Sequence, residues 1–150
     1  MREVRRSALV PHSAQQMYAL VDNIEAYPEF LQWCNSAVEH SRSDDLVEAT
    51  LDLQRGAIKK SFTTRNKLVP GESIGLSLVG GPFRHLVGGW QFQQLGDSGC
   101  KVSFELDFEF KNRVSDAIFA TFFEETCNTL IDSFISRAQF VYGAGRDGDS

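Results

Sequence analysis

Cysteine, proline and histidine are all scarce in this chain of 150 residues, and each scarcity closes off a class of function. The three cysteines, Cys34, Cys100 and Cys127, are odd in number, far apart and form no CxxC pair. That excludes a disulfide framework and a zinc ribbon, and reads as reduced thiols in a cytoplasmic protein. His12, His40 and His85 are scattered, none with a second His or Cys at metal-ligand spacing, so no metal site is expected and each reads as a satisfied or exposed side chain. No Gly-x-Ser-x-Gly elbow is present and no Cys and His pair is suggested by position. No apolar run approaches the roughly 20 residues that span a bilayer. Residues 8–10, ahead of Pro11, are too few for the apolar core of a signal peptide. With 15 Lys and Arg against 20 Asp and Glu, the net charge of -5 disfavours DNA or any generic coating of nucleic acid and leaves room only for a local basic patch.

What the chain does have is phenylalanine: 12 residues, beside 2 Trp and 3 Tyr. Hydrophobic residues make up 42% and charged residues 23%, a globular composition. A chain of this size buries roughly 70% of its unfolded surface, enough to fold without staples. So many rings in one small domain imply either a bulky core or a cavity lined with aromatic side chains.

Residues 3–10 suggest a first strand. Ser13 is placed to cap a helix carrying Ala14, Met17, Tyr18, Leu20 and Val21 on one side. Residues 24–33 form a second short helical or turn segment interrupted by Pro28, with Tyr27, Phe30 and Trp33 as an aromatic cluster. From Val38 the period changes to two. Val47, Ala49, Leu51 and Leu53 alternate with polar neighbours, and Arg55 with Gly56 is expected to make a two-residue turn. In that register Leu53 faces Ile58, Ala49 faces Phe62 and Asp52 faces Lys59. Further strands follow to Val69, over Ile74, Leu76 and Leu78, and over 86–95, with Gly88 and Gly89 marking a bend or bulge. Residues 101–110 alternate without a break: Val102, Phe104, Leu106, Phe108 and Phe110 on one face, Glu105, Asp107 and Glu109 among the polar residues of the other, the pattern of an antiparallel sheet with one wet face.

Beyond Asn112 the period becomes helical. Ile118, Phe122, Leu130 and Phe134, and with them Phe119, Phe123 and Cys127, form an apolar arc wider than a surface helix needs. Such a helix belongs in a groove gripped by a curved sheet. The fold class is α+β, with seven antiparallel strands, two short helices and one long C-terminal helix. Residues 1–143 form one domain and 144–150 a disordered polar tail. One helix cannot fill the concavity of such a sheet, so large side chains or a ligand must.

Lys59, Arg65 and Lys67 line the outward face of the fourth strand, with Arg55 and Lys60 nearby. They are candidates for an RNA contact, or else ordinary cross-strand charge pairs. A buried acid–base pair would favour an enzyme, and none is visible among the inward-facing strand positions, apart from Lys60 and His40.

Residues 13–21 (SAQQMYALV), 27–34 (YPEFLQWC), 62–66 (FTTRN), 80–92 (GGPFRHLVGGWQF) and 106–110 (LDFEF) come in one order, and together the chain resembles the bacterial ribosome-association toxin A family. That family lies in the polyketide cyclase and coenzyme Q-binding branch of the START-like, Bet v 1-like helix-grip superfamily. Gln32 and Trp33 stand where a Pro-Gly pair is expected, and Gly80 where an acidic residue is common. The resemblance implies a helix-grip fold and a non-enzymatic protein that binds an apolar ligand, ubiquinone or another isoprenoid lipid, with no covalent cofactor. It also implies action on ribosomal subunit joining, with the large ribosomal subunit, a small antitoxin protein and peripheral membrane contact as partners. The expected cavity lining is Phe62, Leu76, Trp90, Phe92, Phe104, Phe108, Phe122, Leu130 and Phe134. The expected mouth is Tyr27, Phe30, Trp33, Phe83 and His85, where a quinone head would meet His85 or Gln91. The rival is an enzyme, a cyclase or hydrolase, acting on an apolar substrate in the same cavity.

Overall fold

The computed structural model describes residues 2–112 and 117–143. The expected polar tail, 144–150, lies outside the described residues. Seven strands form one antiparallel sheet in the order β1-β7-β6-β5-β4-β3-β2. They are β1 (Arg2–Val10), β2 (Cys34–Arg42), β3 (Leu46–Arg55), β4 (Ile58–Val69), β5 (Ser73–Gly80), β6 (Phe83–Leu95) and β7 (Gly99–Phe110). Between β1 and β2 come the helix α1 (Ala14–Asp22) and a 3-10 turn, Ile24–Glu29; after β7 comes α2 (Ala117–Tyr142). Every consecutive strand pair from β2 to β7 is a neighbour in the sheet, so the hairpin periodicity of the sequence translates directly into topology.

Local chemistry explains the elements. Ser13 caps α1 in a reciprocal box: its hydroxyl accepts from the Gln16 amide at 3.0 Å, and its own amide donates to Gln16 Oε1 at 2.9 Å. The β3–β4 turn falls on Gly56 and Ala57, so Arg55 pairs with Ile58, Leu53 with Lys60, Leu51 with Phe62, Ala49 with Thr64 and Asp52 with Ser61. The expected register is therefore two residues out. Gly56 takes φ +57 as the first central residue, the place glycine holds in a type II′ turn, rather than the second. A slip of two keeps every side chain on its face. Gly88 and Gly89 are not a bulge; the β6–β7 irregularity lies between Phe83 and His85. The two glycines mark a close approach instead. A Cβ on Gly88 would stand 2.1 Å from the Glu105 carbonyl oxygen, and one on Gly89 2.3 Å from that of Ile74.

The core lies between the inner sheet face and α2. Phe62, Phe83, Phe108, Phe110, Phe119 and Phe123 form one solid aromatic cluster, with ring centroids such as Phe108–Phe123 and Phe83–Phe110 at 5.0 Å. A second group gathers around Trp90: Phe104 at 4.6 Å, Phe134 at 5.3 Å, with Tyr27 and Phe30 packed edge-on against Phe134. On α2 the apolar arc is narrower than its sequence suggests, because Ile118 is 73% exposed and belongs to the solvent face. The wet face of β7 is as expected: Arg5 of β1 holds Glu105 at 2.7 Å and approaches Asp107 at 3.6 Å.

Candidate functional site

Between the two aromatic groups the core is left incomplete. A cavity of about 80 Å³ lies between α2 and the inner faces of β3–β7. The sheet reaches it through alternate inward residues, including Phe62, Leu76, Trp90 and Phe104, and α2 through Leu130 and Phe134 one turn apart. Six of the nine expected lining residues are therefore brought together. The other three are elsewhere. Phe92 packs edge-on against Tyr18. Phe108 is locked in the solid cluster against Phe123. Phe122 turns toward Arg55, whose guanidinium lies 4.5 Å from its ring centre. Neighbouring helix positions diverge by about 100°, so Phe123, not Phe122, meets the sheet.

Of the expected mouth, Tyr27 and Trp33 border the cavity. Phe30 lies outside it, facing an open groove formed by 29–33, the end of β3 and the outer side of α2. Trp33 borders both spaces and forms the wall between them. In the groove, Arg137 pairs with Glu29 at 2.7 Å, and its guanidinium lies 4.9 Å from the Phe30 ring and 5.3 Å from that of Phe140. Phe83 is not a mouth residue; at 1% exposure it is the centre of the solid cluster. His85 pairs with Glu109 and Gln91 with Ser103 on the outer face of the sheet, away from the cavity.

No side chain that is charged at neutral pH borders the cavity among the described residues. Its two titratable groups keep their protons. Burial raises the Tyr27 phenol, which donates to the Val21 carbonyl, and burial raises the Cys127 thiol, with Glu124 adding to the effect. His40 is exposed, with Nε2 2.7 Å from the Thr50 hydroxyl, and is not an inward residue. His12 is the exception to the expectation of satisfied or exposed histidines: it is 1% exposed and its Nε2 has no partner. Groups of metal-ligating side chains are absent among the described residues.

The sequence reading missed the polar part of the cavity. Thr64 and Asn66 border it from β4, and Thr126 from α2. The signal was available: the period of two that turns Phe62 inward turns Thr64 and Asn66 inward with it. Lys59, Arg65 and Lys67 are exposed on β4's outer face, with Arg65 paired to Glu48 at 3.2 Å. Asp52 does not meet Lys59 in the register; it accepts from the hydroxyls of Ser36 and Ser61, which hold its carboxyl below the usual range.

Residues 10–135 match the family model described as polyketide cyclase / dehydrase and lipid transport. The ribosome association toxin RatA of Vibrio cholerae is 43% identical over 143 residues, covering 95% of this chain and 99% of that protein. The chain belongs to the ribosome association toxin A family. A more distant relative of that family's fold, the mitochondrial coenzyme Q-binding protein COQ10 homolog B of Xenopus laevis, is 26% identical across 94% of this chain and 59% of that protein. Among solved structures, a START superfamily protein of Mycobacterium smegmatis superposes with a TM-score of 0.77 at 21% identity, covering 93% of this chain and 98% of that one. The Zhui aromatase/cyclase of a Streptomyces species superposes at 0.82 with 15% identity, over 96% and 98% of the two chains. This toxin-family chain therefore has the α+β architecture its strand and helix pattern implied and the START-like helix-grip fold that the resemblance implied. No helix among the described residues is long and apolar enough to cross a membrane.

Proposed function

We propose that this protein binds an uncharged, largely apolar small molecule, a quinone or another isoprenoid lipid, between α2 and the sheet, and that it acts in the cytoplasm on the joining of ribosomal subunits. The observation that carries the ligand reading is an internal cavity bordered by rings and aliphatic side chains and by no charge. Burying an isoprenoid there gains roughly 25 cal/mol per Å² of apolar surface. The name of the COQ10 relative supports a quinone, and the name of the Vibrio cholerae relative supports the ribosome. At about 80 Å³ the cavity is smaller than the approximately 150 Å³ that admits a benzene, so a prenylated ligand must widen it. Trp33, the wall between cavity and groove, is the side chain whose displacement joins the two.

Titration of the protein with a short-chain ubiquinone, followed by the fluorescence of Trp33 and Trp90, tests this, together with native mass spectrometry of protein purified from its own cells. Saturable quenching that Leu130→Trp abolishes is the expected result; no response and no co-purified lipid would remove the carrier reading. The contact with the large subunit is assigned to Lys59, Arg65 and Lys67. Lys59→Glu with Arg65→Glu should abolish large-subunit binding in gradient sedimentation while leaving the melting temperature nearly unchanged. A double variant that still blocks joining moves the contact to the aromatic groove. A small antitoxin protein and a membrane surface are the further partners of this reading. The enzyme reading draws on the fold it shares with the Zhui cyclase. It requires a group able to exchange a proton at neutral pH inside the cavity, and Tyr27 and Cys127 are both shifted away from that role.

A further inference from the structure

The inward row of β4 reads Phe62, Thr64, Asn66, Leu68, two polar side chains set in an apolar wall. Polar groups in such a place are costly unless each finds a partner. The Thr64 hydroxyl donates to Asn66 Oδ1 at 2.8 Å, which uses the hydroxyl proton and satisfies the amide oxygen. Asn66 still carries two N–H donors on Nδ2. It is only 7% exposed, it borders the cavity, and the structure gives its amide nitrogen no acceptor among the described residues. From α2, Thr126, 4% exposed and with a hydroxyl that has no protein partner, borders the same cavity.

Together these groups define what the cavity lacks. The unspent capacity on Asn66 is donor capacity, so the missing partner is a hydrogen-bond acceptor. No cation borders the site, so a carboxylate or phosphate would be buried without a counter-charge. The position fixes a direction too. Asn66 pairs with Val47 at the start of β3, whereas Trp33 is tied by its carbonyl to the amide of Gln54 near the end of that strand. The two backbone positions are roughly 20 Å apart along β3.

We propose that Asn66, through Nδ2 and with the Thr126 hydroxyl beside the same cavity, anchors an uncharged carbonyl oxygen of the bound molecule at the β4 end. The polar end of the ligand then enters first, and its apolar remainder extends toward Trp33 and the outer groove. This rests on the ligand-binding reading above and inverts the orientation expected from the sequence, in which a head group stays at the mouth. It selects quinones, ketones and esters over fatty-acid carboxylates and plain hydrocarbons.

The test uses three small probes of nearly equal shape: acetone, isobutene, in which the carbonyl oxygen is replaced by a CH2 group, and acetate, a carboxylate of the same size. Affinities are read by NMR chemical-shift titration of the whole protein. The wild type should bind the ketone and the alkene and reject the carboxylate. Asn66→Leu should lower the ketone-to-alkene affinity ratio about tenfold, the worth of one buried hydrogen bond, and Thr126→Val should lower it a few-fold. Because Asn66→Leu orphans the Thr64 hydroxyl and could unfold the chain, Thr64→Val with Asn66→Leu removes both partners at once and must give the same ratio. A ratio unchanged in the double variant and in Thr126→Val would mean that these groups hold only water, which overturns the subsite and leaves the apolar carrier standing. A wild type that binds neither the ketone nor the alkene overturns both.

Discussion

Phe104 and Phe108 stand four residues apart on β7 and face the same way, yet they are packed differently. Phe108 is 0% exposed and surrounded by the rings of Phe83, Phe110 and Phe123. Phe104 leans on Trp90 and borders the cavity. Phe108→Ala should therefore cost about 3–5 kcal/mol in urea denaturation, and Phe104→Ala distinctly less, because part of the space around it is already empty. The inward direction of both was legible from the alternation of β7. Which rings they meet was not, since that depends on the rotation of α2 about its axis, and a broad apolar arc leaves that angle open. His12 was legible only as a histidine; in the fold it lies buried against Tyr142 of α2, with ring centroids 5.9 Å apart. Burial depresses its pKa, so the unfolded chain binds the proton more readily. The sign follows: the contribution is full above the unfolded value near 6.5 and is lost as pH falls below it. His12→Gln should flatten the fall in stability as pH drops below about 6.5, measured by urea midpoints on either side of that value.

At the scale of elements, the sequence carried most of the architecture because each element announces itself locally. The capping box of α1 is one example, and Ser13→Ala should lower stability by about 1 kcal/mol, seen as a small drop in melting temperature. The β3–β4 hairpin shows the limit. Glycine can take either central place of a two-residue turn, and the alternation of side chains is blind to a slip of two, so the faces were right and the pairs were not. Gly88 shows another limit, because close approach between strands depends on neighbours distant in the sequence. Gly88→Ala should separate β6 from β7, with increased amide exchange at Gly88, Glu105 and Leu106 as the measurable sign. The same dependence hid the polar patch of Thr64 and Asn66: the period placed them inside, and only the assembled cavity shows that they have no full set of partners.

For the molecule as a whole, the Phe content pointed to either a bulky core or a ring-lined cavity, and the structure has both, the cavity being small. Half of the phenylalanines are consumed in the solid cluster around Phe83. At a net charge of -5, the large-subunit contact proposed for Lys59, Arg65 and Lys67 is a local basic one, and binding through it should weaken steeply between low and moderate salt, in sedimentation at stepped ionic strength. The strand order has a consequence for how the protein comes into being. Among the described residues, β1 has β7 as its only partner in the sheet, although β2 to β6 lie between them in the chain. Their paired residues are roughly 100 positions apart, which makes this a slow, high-contact-order closure. The β2–β7 hairpins can form as they emerge, but β1 must wait, unpaired, until β7 has been made. α2 follows β7 in the chain, so a nascent chain has neither the completed sheet nor the groove that α2 closes until both have left the ribosome.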